Sequence, residues 1–206
     1  IAFKLLDLVA ISIASDIVPI EDENRILMRE GLKRINSEPR IGIKALLELI
    51  NLSVGSITTS NIVFSIGPRI NAAGRMGDAT KAVKLLISDT PAEAKSRAHE
   101  LESINVARRD KDSETMEEAK AMVDKNYNLD KISSMVLHHP DWHLGVIGIV
   151  ASRLVDTYGR PAVMLSTVDG KIKGSARSID GFNIYDAFKE CEDLLEQFGG
   201  HEYAAG

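Results

Sequence analysis

Along this chain the spacing of apolar positions changes character near residue 130. Before it, apolar residues crowd together or recur at helical intervals. "FKLLDLVAISIASDIVPI" is apolar almost all round. That predicts a buried helix, or a strand running into one, broken at Pro19. In "DENRILMREGLKRIN", Ile26, Leu27, Leu32 and Ile35 stand at helical spacing with charges between them. "IGIKALLELINLS" and "DATKAVKLLIS" predict two short helices. Between them, "TTSNIVFSIGPRINAAGRMG" opens on Thr/Ser cap candidates, stays apolar to Ile66, then turns small and Gly-rich.

The longest periodic stretch follows Thr90-Pro91-Ala92-Glu93, a capping box with proline at the first helical position. Its apolar stripe is narrow: Ala94, Ala98 and Leu101, then Met116, Ala119 and Val123. Such a stripe on a heavily charged helix suits a connector better than a core element. "NYNLDK" breaks it, and a boundary is expected near residues 125–132.

After that the order becomes strand, helix, strand, strand, helix. "SSMVLHH", "PAVMLST" and "GKIKGSARS" predict strands, with a turn at Asp169-Gly170. "GVIGIVASRLVDTYG" and "NIYDAFKECEDLLEQF" predict helices, the second ending at Gly199-Gly200. Alternating strands and helices predict an α/β layer architecture.

Composition narrows the class without naming a chemistry. Hydrophobic content of 44% and charged content of 27% are those of an ordinary globular protein. No apolar run nears the roughly 20 residues that cross a bilayer, so no membrane association is expected. The single cysteine, Cys191, excludes an internal disulfide framework and Cys-rich zinc sites. "DAFKECEDLL" predicts it on a helix, reduced and partly buried, in a cytoplasmic protein. A net charge of -5 argues against indiscriminate nucleic-acid binding but leaves room for a local phosphate site. The chain opens at Ile1 inside an apolar segment, so both ends are expected to be cuts within a larger protein.

Several stretches have residues suited to chemistry, each with a plainer reading beside it. Asp16 ends an apolar segment, either as a helix-end group or buried ion pair, or as a carboxylate ligand to a hard cation. A two-metal centre needs several such ligands. "GPRINAAGRMG" sets Arg69, Asn71 and Arg75 among small residues: a loop with surface arginines, or guanidinium forks for phosphate. His143 precedes an apolar helix, as a cap or core histidine or as part of an anion site at the helix start. His138 and His139, adjacent on a strand, point to opposite faces and are expected to be structural or solvated. In "GKIKGSARS", Ser175 and Arg177 share a strand face after Gly174, with Ser178 next: an edge strand, or a phosphate cradle. Gly199, Gly200 and His201 exceed what a helix stop requires. No helix-turn-helix, zinc-finger or RRM pattern is visible.

"LDLVAISIASDIVPI", "GPRINAAGRMG", "WHLGVIGIVASRL", "GSARS" and "GGHEYAAG", in that order and spacing, closely resemble the RecJ-type single-stranded-DNA-specific exonucleases of the DHH phosphoesterase superfamily. The resemblance covers nearly the whole chain. It implies the helical tail of a DHH domain over 1–76, a helical connector over 77–128, and over 129–206 a small α/β DHHA1 domain with a mixed sheet, truncated at its C-terminus. It implies two Mn²⁺ or Mg²⁺ ions in the full-length protein, with Asp16 as one catalytic ligand. It further implies single-stranded DNA held by Ser175, Arg177 and their Gly-rich neighbours, and a path lined by Arg69 and Arg75. Family members digest single-stranded DNA from the 5′ end in repair and recombination, and a helicase or single-strand-binding protein is the kind of partner the resemblance suggests. The Asp-His-His motif itself is missing here, and with it the other metal ligands, so the chain alone is expected to be inactive. Two other readings remain: a superfamily enzyme acting on oligoribonucleotides or cyclic dinucleotides, and a non-catalytic nucleic-acid-binding module.

Overall fold

The structure, a computed structural model, describes residues 2–16 and 18–206. Contacts divide the chain into two units, Ile1–Ala107 and Arg108–Gly206.

The first unit is helical. A short 3-10 turn, Ala2–Leu5, leads into α1 (Leu6–Ser15), followed by α2 (Asp22–Ser37) and α3 (Ile41–Leu49). The stretch read as apolar and then Gly-rich is helical throughout. α4 (Thr59–Asn61) passes into a π-helical segment, Ile62–Ile66, and then α5 (Gly67–Arg75). Thr58 caps it reciprocally with Asn61, so the predicted Thr/Ser start is correct and the loop reading of "GPRINAAGR" is not. α6 (Thr80–Leu86) follows. The core gathers Ile35, Leu46, Leu47, Ile62, Ile66 and Leu85, all essentially inaccessible. On α2, Met28, Gly31 and Ile35 are the buried set. Ile26, expected inside, is exposed, because the buried stripe runs one position out of phase with it.

The long helix α7 (Pro91–Asn126) has 36 residues. Thr90 Oγ1 accepts from the Glu93 amide at 3.3 Å, while the Glu93 carboxylate turns to Arg97 at 2.7 Å. All six residues of the predicted narrow stripe are buried. Ala94, Ala98 and Leu101 join the first core, and Met116, Ala119 and Val123 the second.

The second unit is built on a mixed sheet in the order β1-β2-β3-β5-β4. Its strands are β1 (Met135–His138), β2 (Ala162–Val168), β3 (Lys171–Arg177), β4 (Gly200–His201) and β5 (Ala204–Ala205). β1 and β2 run parallel, joined through α8 (Leu144–Tyr158); the other pairs are antiparallel. Asp169 and Gly170 both have positive φ, 53° and 75°, the geometry of a two-residue hairpin turn between right-twisted strands.

One face of the sheet packs Met135, Leu137, Ala162 and Met164 against Val146, Ile147, Val150 and Leu154 of α8. The other face carries α9 (Ile184–Lys189), whose Ile184 and Phe188 cover Ala176 and Ala205. At the outer edge of β1, Tyr127 closes the ladder. Its hydroxyl accepts from the Val136 amide at 3.2 Å and donates to the Val136 carbonyl at 2.5 Å.

Two sequence expectations fail at the C-terminal end. The last helix does not run to Gly199: it stops at Lys189, and a 3-10 turn, Glu192–Leu194, follows. Cys191 therefore lies outside the helix and is exposed, not partly buried. Of the residues at helical spacing there, Phe198 packs back on Tyr185 and Phe188 of α9, while Leu194 stays exposed. Gly199 and Gly206 exchange backbone hydrogen bonds at 2.9 Å, so the Gly-rich box is a β-hairpin and not a helix stop.

Candidate nucleic-acid interface

Two places bring the predicted residues together, one in each unit. In the first, α1 ends where the Asp16 amide donates to the Ser12 carbonyl at 3.1 Å. Asp16 is exposed as the C-cap of α1, so the helix-end position holds and the buried ion pair does not. The buried carboxylate is Asp7, one that the pattern did not single out. Asp7 meets Arg40 at 2.7 Å and Arg34 at 3.9 Å, and these partners lie 33 and 27 positions away, beyond any local signal.

At the C-terminal end of α1, Asp16 adds a negative charge to the negative pole of the helix. Such an end attracts cations. Beside it, Asn71 Nδ2 donates to the Ser15 carbonyl at 3.1 Å, satisfying one of the carbonyls that a helix end leaves open. Ser15 Oγ is buried without a partner among the described residues. Ser12, Ser15, Asp16 and Asn71 line an open cleft of about 440 Å³, with Val83 of α6 and Ile87 just past its end as its apolar side. A divalent cation requires more than this: among the described residues no three metal-ligating side chains converge. The residues present do not make a complete metal site.

Arg69 does not stand free in that region. Its Nε and Nη2 grip the Glu102 carboxylate at 2.5 and 3.1 Å, and Nη1 donates to the Ser65 carbonyl at 2.7 Å. Arg75 lies at the exposed end of α5.

The second place lies on the α8 face of the sheet. Arg177 pairs with Ala204, and Ala204 with His201. Residues directly opposite in antiparallel strands share a face, so Arg177, Ala204 and His201 form one row. Ser175, two residues back, shares that face. Arg177 Nη1 donates to Ser175 Oγ at 3.0 Å and to the Ala176 carbonyl at 2.7 Å. The hydroxyl thus accepts from the guanidinium and keeps its own proton to donate. α8 passes directly above: a Cβ at Gly148 would stand 2.9 Å from Ser175 Oγ and 3.1 Å from Arg177 Nη2. A larger residue at 148 would have to push those two side-chain ends aside.

The floor beyond Arg177 is small by necessity. Gly200 has φ of 154°, and a Cβ there would lie 2.3 Å from the Ala204 carbonyl oxygen, so no other residue fits the hairpin. The chain corner past β3 is sewn to the hairpin by Ser178 N to the Tyr203 carbonyl and Ile184 N to the Glu202 carbonyl, each 3.0 Å. Ser178 Oγ is engaged with the Phe182 carbonyl at 2.6 Å.

His143 is the N-cap of α8. Its Nδ1 accepts from the Gly145 amide at 3.0 Å, which requires that nitrogen to be unprotonated. Burial, and then the positive charge of Lys111, push its pKa below the usual imidazole value. His138 and His139 have structural contacts, as expected. His138 Nε2 bonds Thr167 Oγ1 at 3.0 Å, and His139 lies against Trp142 with ring centroids 5.7 Å apart.

The comparisons with known proteins agree with these motifs. Residues 124–206 match the DHHA1 domain family. The chain is 42% identical over 205 residues to the single-stranded-DNA-specific exonuclease RecJ of Bacillus subtilis (strain 168), covering 98% of this chain and 26% of that protein. It is 39% identical to RecJ of Escherichia coli (strain K12), covering 98% of this chain and 37% of that one. Among solved structures, RecJ from Thermus thermophilus in complex with Mg²⁺ superposes with a TM-score of 0.87 at 34% identity, covering 99% of this chain and 31% of the other. The chain therefore spans about a quarter to a third of the length of these relatives.

Proposed function

Since the chain belongs to the RecJ family and carries its DHHA1 domain at residues 124–206, we propose that its C-terminal unit holds single-stranded DNA by the phosphates, as part of a single-stranded-DNA-specific exonuclease. The supporting observation is the row on the α8 face. A guanidinium and a hydroxyl lie 3.0 Å apart on a platform whose neighbours are Ala204 and the hairpin glycines. A phosphodiester needs that pairing of charge and donor, and the small floor lets a backbone approach. His201 borders the row. His143 serves by holding α8 over it as a cap. Used on phosphate oxygens, contacts of this kind position the strand without reading its sequence.

Asp16 is proposed as one carboxylate of a Mg²⁺ or Mn²⁺ centre, with Asn71 fixing the helix end that bears it. Arg75 would line the strand's path there, whereas Arg69 acts through Glu102 as a positioning residue. Two divalent ions would supply a metal-activated water and charge neutralisation in the full-length enzyme. The proposal extends to 5′ to 3′ polarity, a role in DNA repair and recombination, a cytoplasmic setting, and a division at 1–76, 77–128 and 129–206. With one candidate ligand in hand, this chain by itself is expected to bind and not to cut.

The test is fluorescence anisotropy with a labelled oligo-dT and salt titration. Binding that weakens steeply with salt is expected, the signature of phosphate contacts. Arg177→Ala should weaken it alike for dT, dA and mixed sequences and lower the salt slope by about one. Equal affinity for duplex, or loss confined to one sequence, would refute the reading. Added Mn²⁺ should produce no digestion by this chain.

A further inference from the structure

Charge is distributed unevenly along the chain. From Ser178 to Gly206 there are seven carboxylate residues and one base, Lys189, a net charge of -6. The whole chain carries -5, so residues 1–177 together amount to one positive charge. All seven carboxylates are exposed. The same 29 residues hold half of the chain's ten aromatic residues.

Tyr185, Asp186 and Phe188 belong to α9, which packs on the sheet face opposite Ser175 and Arg177, and Glu190, Glu192 and Asp193 follow it directly, while Glu196 is already paired with Lys171 of β3 at 2.7 Å. α9 has six residues and covers little more than Ala176 and Ala205. Around it a hydrophobic patch stays open. The Phe198 ring joins those of Tyr185 and Phe188, centroids 5.5 and 6.2 Å apart. Leu194 is 80% exposed and Tyr203 50%. A contiguous apolar surface rimmed by polar groups marks an interaction site. The rim decides the partner's charge: carboxylates repel a phosphodiester and attract ammonium and guanidinium groups.

We propose that this surface docks a basic, amphipathic polypeptide segment. Its apolar residues would lie on Tyr185, Phe198 and Leu194, and its Lys and Arg residues on the carboxylate rim near Glu192 and Asp193. The occupant is protein and not nucleic acid, and it sits on the opposite face from the phosphate row. One domain then holds a strand on one face and a partner on the other. The inference does not depend on the phosphate assignment.

The experiment uses this chain and two labelled 18-residue probes, an amphipathic Lys/Leu peptide and an oligolysine. Fluorescence anisotropy is read across salt. The amphipathic peptide should bind about tenfold or more tightly than oligolysine, since apolar anchors carry most of an interface's affinity. Leu194→Asp, and separately the double change Glu192→Gln and Asp193→Asn, should each weaken it about tenfold. Leu194 is exposed enough that the first variant keeps its fold, which a thermal melt confirms. Oligo-dT binding should be unchanged in both variants, and peptide binding unchanged in Arg177→Ala. Equal binding of the two probes would reduce the surface to plain charge attraction and overturn the proposal. So would insensitivity to both variants, or displacement of the peptide by oligo-dT. A dimer in sedimentation that Leu194→Asp dissolves would assign the patch to a second copy of this chain instead.

Discussion

The cleft beside Asp16 and the row at Arg177 are electrostatic opposites. The first collects oxygen: the carbonyl end of a helix, a carboxylate, a serine hydroxyl and an asparagine tied to a carbonyl. The second collects donors: a guanidinium, and a hydroxyl that accepts from it and can still donate. The two clusters therefore favour ligands of opposite sign, the first a cation and the second an anion, and the proposed function uses both.

The contrast can be broken from either side. The largest effect should come from the buried ion pair in the first turn of α1, the helix whose far end is the oxygen-rich one. Asp7→Ala strands Arg40 and Arg34, and the first unit should lose about 2–4 kcal/mol, the upper range discounted because both arginines are partly exposed. Urea unfolding followed in that unit measures it. DNA affinity of the second unit should hold at denaturant concentrations where it remains folded.

Next comes the grip itself. Arg177→Ala should weaken oligo-dT binding by about 1.5–3 kcal/mol, the range for hydrogen bonds to a charged group, and Arg177→Lys should recover only part of it because a point charge replaces a fork. Titration by anisotropy gives both numbers. An unchanged affinity would mean that the strand lies elsewhere.

A smaller effect carries an unusual sign. Asp16→Asn removes an anion from the negative pole of α1 and should stabilise this chain by about 0.5 kcal/mol. Destabilisation in a thermal melt would show that the carboxylate has a structural partner, and its reading as a ligand would fall.

The last prediction concerns slope. Because the folded pKa of His143 lies below the unfolded value of 6.5, the unfolded chain takes up the proton first as pH falls. Stability is fully present above 6.5 and declines as pH drops below it. His143→Asn keeps a capping oxygen and should flatten that part of the pH–stability curve. A slope unchanged by the substitution would remove His143 as its cause.

Much of the second unit was legible in the sequence. β2, β3, the Asp169-Gly170 turn and the shared face of Ser175 and Arg177 all follow from period-two spacing and turn chemistry. The resemblance motifs marked the row's neighbours. What could not be read depends on distant partners. Arg69 looks like a free phosphate fork until Glu102, 33 residues on, occupies it. Asp16 looked buried because its local run is apolar, yet Asp7 is the buried one. The run from Tyr185 to Phe198 has helical spacing, but the hairpin after it pulls the chain back to the sheet. In each case a local pattern was outweighed by a tertiary contact that the pattern does not contain.

Tyr127 has a consequence for assembly. Strand edges are where sheets of different molecules add to one another. With the Val136 amide and carbonyl both held by that one hydroxyl, the edge of β1 has nothing to offer an incoming strand at that position. One phenol oxygen thus blunts this edge at Val136 against pairing with another molecule.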